Sequence, residues 1–230
     1  MKQHFFFKLF SIFFISTFLW SCNSDEYALP DGFSYIENEI PSAKLEIRYL
    51  GDHNFVGRPI VGYEREVGIL STKATDALKK VQEELNQQGL GIKVFDAYRP
   101  QRAVTSFEVW AKDLNDTIAK QEFYPDVDKR DLFTLGYIAS RSGHTRGSTI
   151  DLTLVDLATN QELDMGSSYD FFGEISHHDT QLINPSQTAN REILRQAMLN
   201  HGFKDYAEEW WHYTLANEPF PETYFDFVVR

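Results

Sequence analysis

The chain contains a single cysteine, Cys22, among 230 residues. One thiol cannot close an internal disulfide, so no covalent staple holds this fold. Basic residues are scarce: 22 Lys and Arg stand against 34 Asp and Glu, a formal charge of −12. No basic stripe with interleaved aromatics is present, and phosphate-backbone binding is disfavoured; nucleic acid is not expected as a partner. Long apolar runs are also missing after the first twenty residues. The one near the start, Leu9 to Trp20, is short for a bilayer span of about 20 residues. There is no internal repeat or low-complexity tract beyond it. What the chain does have is 42% hydrophobic and 15% aromatic residues, enough for a packed globular core.

Residues 1–21 read as a secretory signal. Lys2 and Lys8 precede the apolar run, and no acid occurs before Asp25. The sequence Leu19-Trp20-Ser21-Cys22 resembles the lipobox of bacterial lipoproteins, with Trp20 an unusual occupant. An acylated Cys22 would anchor the protein to a membrane and place it outside the cytoplasm. An uncleaved N-terminal anchor is the other reading. Residues 22–40 then form a tether and domain entry, and residues 41–230 a single domain.

Along that domain, Ala43 to Tyr49 alternates as a strand. Thr72 to Gln88 repeats Ala74, Ala77, Leu78, Val81 and Leu85 at helical spacing. Ile92 to Phe95 is a short buried strand. A helix is expected from Pro100 through Trp110, then a polar insertion over 113–131. Thr149 to Val155 alternates again, 159–188 is irregular, Asn190 to Asn200 is helical, and Trp210 to Leu215 is an aromatic strand. Strands and helices do not alternate strictly. The expected fold is α+β, with a central, mainly antiparallel sheet flanked by helices.

Polar residues break these patterns at three places. His144 lies in the loop-like Ser142-Gly143-His144-Thr145-Arg146-Gly147, and Asp151 lies within the strand that follows. On that strand Asp151 and Thr153 face one way, Ile150, Leu152 and Leu154 the other. A carboxylate in such a strand requires a partner: a metal, or a cation such as Arg146 or Arg141. His144, Asp151 and His212 would supply three ligands and leave a fourth position open, as catalytic zinc requires. Glu209, three residues before His212, is a candidate proton carrier. Three residues apart in a regular strand face opposite sides, so Glu209 must sit at the strand entry or in a bulge. The alternative makes it one of two surface acids with Glu208. Arg99, in Asp96-Ala97-Tyr98-Arg99-Pro100, is either an oxyanion stabiliser or half of an ion pair with Asp96.

The segments SGHTRGSTIDLTL, EWWHY and DAYRP together resemble the D-alanyl-D-alanine dipeptidase family, the VanX-like zinc D,D-dipeptidases of the D,D-peptidase/Hedgehog-like fold. The resemblance runs from Ile47-Arg48-Tyr49 to Tyr224-Phe225-Asp226-Phe227, through Asn54-Phe55-Val56-Gly57, Met165-Gly166, Asp170-Phe171 and His177-His178. It implies one Zn2+ on His144, Asp151 and His212, Glu209 as general base and acid, and Arg99 as transition-state stabiliser. It also implies Asp170 and Tyr49 on the dipeptide's amino group and Ser142 in contact with substrate. His177 and His178 are expected to be structural. The expected activity is hydrolysis of D-Ala-D-Ala in cell-wall metabolism. Trimming of longer peptidoglycan stems by a D,D-carboxypeptidase and peptide binding without turnover are the alternatives.

Overall fold

The computed structural model describes Met1 and residues 28–230; the expected signal segment and Cys22 lie outside the described residues. The fold begins earlier than position 41. Strand β1 (Phe33–Tyr35) and the short helix α1 (Ile36–Glu39) contribute Phe33 and Ile36 to the core. The stretch expected to be tether and entry is therefore partly domain. It was unreadable because three- and four-residue elements carry no period.

Five strands form the central sheet in the order β2 (Lys44–Leu45), β4 (Leu90–Asp96), β5 (Thr149–Asp156), β7 (Glu209–Leu215), β6 (Phe203–Tyr206). Only β2–β4 is parallel. A second, two-stranded sheet pairs β1 with β3 (Ile69–Ser71). The strand expected over 43–49 is thus mostly not one. After Leu45 the chain leaves the sheet, and Arg48–Leu50 form a single 3-10 turn that buries Tyr49. The alternation there came from a turn with one inward side chain.

Helix α2 (Thr72–Asn86) buries Ala74, Leu78, Val81 and Leu85, as its spacing requires. Ser71 caps its N-terminus by accepting from the Ala74 N–H. Helix α3 (Gln101–Lys112) follows Pro100, and the one-turn α4 (Lys120–Phe123) interrupts the polar insertion. Helix α5 (Pro185–Asn200) starts five residues before the expected Asn190, where Asn184 and Gln187 form a capping box and Pro185 occupies the first turn. Helices α2 and α5 pack on each other and on the sheet.

Strand β5 is buried on both faces. Ile150, Leu152 and Leu154 are inaccessible, and so are Thr149, Asp151 and Thr153. At Asp151 the polar side borders a cavity and is covered from above by the loop after β5, whose Tyr169 hydroxyl reaches the carboxylate. Asp151 is therefore as buried as the leucines beside it.

Candidate active site

Sheet register sets the centre of the site. Asp96 on β4 lies opposite Asp151 on β5, and Asp151 lies opposite His212 on β7. Three polar side chains therefore cross one face of the sheet in a row. His144 reaches the same point from the loop before β5. Ser142 caps that loop's 3-10 turn, accepting from the His144 N–H at 3.3 Å, and Gly147 ends it with φ +78°. A Cβ at position 147 would lie 2.3 Å from the Phe33 ring. Gly147→Ala combines left-handed strain with that clash. It is expected to cost about 2 kcal/mol or more, seen as a lower denaturation midpoint in a urea titration.

The three side chains converge closely. His144 Nε2 is 3.3 Å from His212 Nδ1 and 3.3 Å from Asp151 Oδ1, and His212 Nδ1 is 3.1 Å from Asp151 Oδ1. A tetrahedron with metal–ligand bonds of roughly 2.0–2.1 Å has edges of about 3.3 Å. The triangle therefore matches one face of a zinc coordination sphere. Hydrogen bonding agrees. His144 Nδ1 donates to the Ala97 carbonyl at 2.7 Å, which leaves Nε2 as a bare lone pair aimed inward. Burial holds His144 below its usual range, hence neutral, against the pull of Asp151. Asp151 Oδ1 is buried and accepts no hydrogen bond. A lone pair and an unbonded carboxylate oxygen facing one point call for a cation between them. Of the cations considered for Asp151, Arg146 is taken: it donates two hydrogen bonds to the Glu218 carboxylate, at 2.7 and 2.8 Å. Arg141 lies over Tyr224 instead.

Glu209 and His212 reach one side by the irregularity that their spacing demanded. Between β6 and β7 the register jumps from Asp205↔Tyr213 to Tyr206↔Glu209, so on the β6 side Trp210, Trp211 and His212 have no partner, while His212 keeps its pairing with β5. Glu209 enters the strand with Oε2 3.4 Å from His212 Nδ1. Burial pushes its carboxyl up to about 7; the histidine opposes this shift and Asp151 reinforces it. Glu209 is not a free surface acid.

Of the two readings offered for Arg99, the ion pair with Asp96 is present, and the side chain also borders the cavity. Its Nε donates to Asp96 Oδ2 at 2.9 Å, its Nη2 lies 3.6 Å from Asp151 Oδ2, and it still lines the cavity. The rings of Tyr49 and Phe107 lie 5.0 and 5.4 Å from the guanidinium carbon. The two rings and the two carboxylates thus hold the cation at the cavity wall.

Asp170 is buried with φ +60°, a left-handed conformation tolerated by Asp. Its Oδ2 accepts from the Tyr49 hydroxyl at 2.9 Å. Burial, with the Asp151 charge second, raises its carboxyl well above the usual range. Ser142, Tyr49 and Asp170 line the same cavity as the three metal-ligand candidates, Glu209 and Arg99; its volume is about 280 Å³. Two cavity rings close the space: Tyr137, stacked on Phe172 at 4.6 Å, and Tyr206, 5.4 Å from His212.

Sequence reasoning missed three supports. The Tyr169 hydroxyl donates to Asp151 Oδ2 at 3.1 Å; its place beside Asp170 was the available signal. Tyr63 donates to Asp96 Oδ1 at 2.7 Å. Arg191, which reads as an exposed mid-helix residue, is buried. It donates to the carbonyls of Met165, Ile175 and His177, bracing the loop that carries Tyr169 and Asp170. His177 and His178 stay outside the triangle. His178, driven down to about 4 by burial, packs on Tyr213.

A family model described as D-ala-D-ala dipeptidase matches residues 31–230. The chain is 40% identical over 199 residues to a D-alanyl-D-alanine dipeptidase of Enterococcus faecium, covering 86% of this chain and 98% of that protein. Against the same enzyme of Enterococcus faecalis (strain ATCC 700802 / V583) the identity is 41% over 202 residues, covering 87% and 100%. Against that of Streptomyces coelicolor (strain ATCC BAA-471 / A3(2) / M145) it is 41% over 198 residues, covering 86% and 98%. With nearly the whole of each relative aligned, the chain belongs to the D-alanyl-D-alanine dipeptidase family of peptidases.

Proposed function

We propose that this chain hydrolyses the dipeptide D-Ala-D-Ala to two D-alanines with one Zn2+ held by His144, Asp151 and His212. The observation that carries the reading is the buried triangle with its unbonded Asp151 oxygen, set in a small cavity beside Glu209. When bound, zinc supplies Lewis acidity, polarising a carbonyl and making a water nucleophilic near neutral pH.

The side chains divide the remaining work. Asp170, oriented by Tyr49, takes the substrate's ammonium. Arg99 donates toward the oxyanion that develops at the scissile carbonyl. Glu209 Oε2 accepts a proton from the attacking water and delivers it to the leaving amine. Ser142 offers its hydroxyl at the cavity wall. Rigid placement of Arg99 between Asp96 and two rings means little reorganisation during the reaction.

A cavity of this size suits a dipeptide better than a stem pentapeptide. With zinc present, D-alanine release from D-Ala-D-Ala is expected to exceed release from a pentapeptide ending in D-Ala-D-Ala at least tenfold in kcat/KM. Preference for the longer peptide would make the protein a D,D-carboxypeptidase. Binding without product from either would make it a binding protein.

The lipobox-like Leu19-Trp20-Ser21-Cys22 supports a second proposal: acylation of Cys22 and an extracytoplasmic, membrane-anchored enzyme acting on dipeptide from wall turnover. The mass of the mature N-terminus decides it. A diacylglyceryl Cys22 is expected; an unprocessed, unacylated chain in the cytosol contradicts it.

A further inference from the structure

A dipeptide is a zwitterion, and the roles above leave its carboxylate without a counter-charge. The need is pronounced here. The protein is acidic, and the cavity holds three carboxylates, Asp151, Asp170 and Glu209. An entering anion would be repelled unless a cation met it.

Two guanidiniums line the cavity, Arg99 and Arg141. Arg99 is committed to Asp96 and Asp151. Arg141 is not: among the described residues it forms no ion pair and no side-chain hydrogen bond. Its guanidinium carbon lies 5.0 Å from the Tyr224 ring, which gives it a platform while leaving its N–H groups available. Arg146 makes the contrast clear. It approaches the same ring at 5.8 Å, but Glu218 neutralises it with two hydrogen bonds. Arg141 also directly precedes Ser142, whose side chain caps the turn bearing His144, so its backbone is tied to the metal-ligand loop.

We propose that Arg141 binds the substrate's terminal carboxylate at the cavity rim and makes the enzyme selective for a free C-terminus. This inference rests on the dipeptidase reading. An Arg fork pairs with a carboxylate through two parallel N–H donors, a geometry that a carboxamide cannot match in charge or in acceptors. Because the carboxylate keeps its charge and bonding while the amide is broken, the contact acts on binding rather than on the chemical step.

The test compares wild type, Arg141→Gln and Arg141→Lys as zinc-loaded enzymes. Each is assayed with D-Ala-D-Ala and with its C-terminal amide, used as substrate or as competing ligand. For Arg141→Gln, the KM for D-Ala-D-Ala should rise about tenfold with kcat within about twofold. Affinity for the amide should stay within about twofold, and Arg141→Lys should recover most of the loss. Equal losses for both ligands would assign Arg141 a purely structural role and overturn the proposal, as would an unchanged KM. Wild-type enzyme inactive on both ligands would instead overturn the dipeptidase reading, and this inference with it.

Discussion

Glu209→Ala is expected to lower kcat about 10²- to 10⁴-fold, with zinc content, KM and thermal midpoint close to wild type. The carboxylate is half-buried beside the candidate metal-ligand triangle, and the bulge in β7 turns it toward His212. No ligand is lost with it, so binding survives while proton transfer does not. Glu208→Ala, one residue away, should change kcat less than about threefold. The pH profile follows from the same group. A base works ionised, so kcat/KM should fall as pH drops through the Glu209 pKa. Burial places that value at about 7 in the metal-free protein. A dication nearby favours the carboxylate, so in the zinc enzyme the acid limb should lie below about 7. Its loss in Glu209→Gln would identify the titrating group. Retention of most activity in Glu209→Ala with zinc bound would show that the proton carrier lies elsewhere.

Removing the metal should abolish hydrolysis and also loosen the protein. In the metal-free state a buried, ionised Asp151 faces two imidazoles. Burial alone would raise its pKa, but His144 and His212 together hold it far below the usual carboxylate range. Burial likewise works against charge on His212, yet Asp151 outweighs it and raises the imidazole above its usual range. Asp151 thus favours the protonated form of His212 when no metal is bound. Zinc displaces that proton, so zinc affinity should increase with pH through the His212 titration. Zinc at about 100 times its dissociation constant adds roughly 2.7 kcal/mol to stability. For a chain of this length that corresponds to a rise of about 5–10 °C in Tm. Asp151→Asn should lose most of this shift, because the amide brings no charge to the cation. A Tm indifferent to zinc would remove the metal from the account.

Much of the site was legible because chemistry-bearing residues interrupted strong patterns. Asp151 stood in an alternating strand, and His212 and Glu209 stood in an aromatic one. The conflict between a three-residue spacing and a regular strand pointed to an irregularity, and β7 carries one. The resemblance supplied Asp170 and Tyr49, which no local pattern distinguishes. What stayed hidden depends on long-range geometry. Tyr169, Tyr63 and Arg191 act through partners 14 or more residues away, and nothing beside Arg191 in the helix marks it as buried. The roofing of β5, which hides the Asp151 face, comes from a loop without periodicity. Short elements such as β1 and α1 failed for a related reason: their residues are fixed by packing, as Phe33 is by its stack on Phe220 at 5.5 Å, not by propensity.

Every role proposed for the site depends on a zinc ion at the point shared by His144, Asp151 and His212. Anomalous diffraction collected on both sides of the zinc absorption edge, from crystals of zinc-loaded protein, tests it most directly. One strong peak per chain is expected, about 2.0–2.1 Å from His144 Nε2, Asp151 Oδ1 and His212 Nδ1, and no such peak in Asp151→Asn. A zinc-replete protein whose peak lies away from this triangle would contradict it.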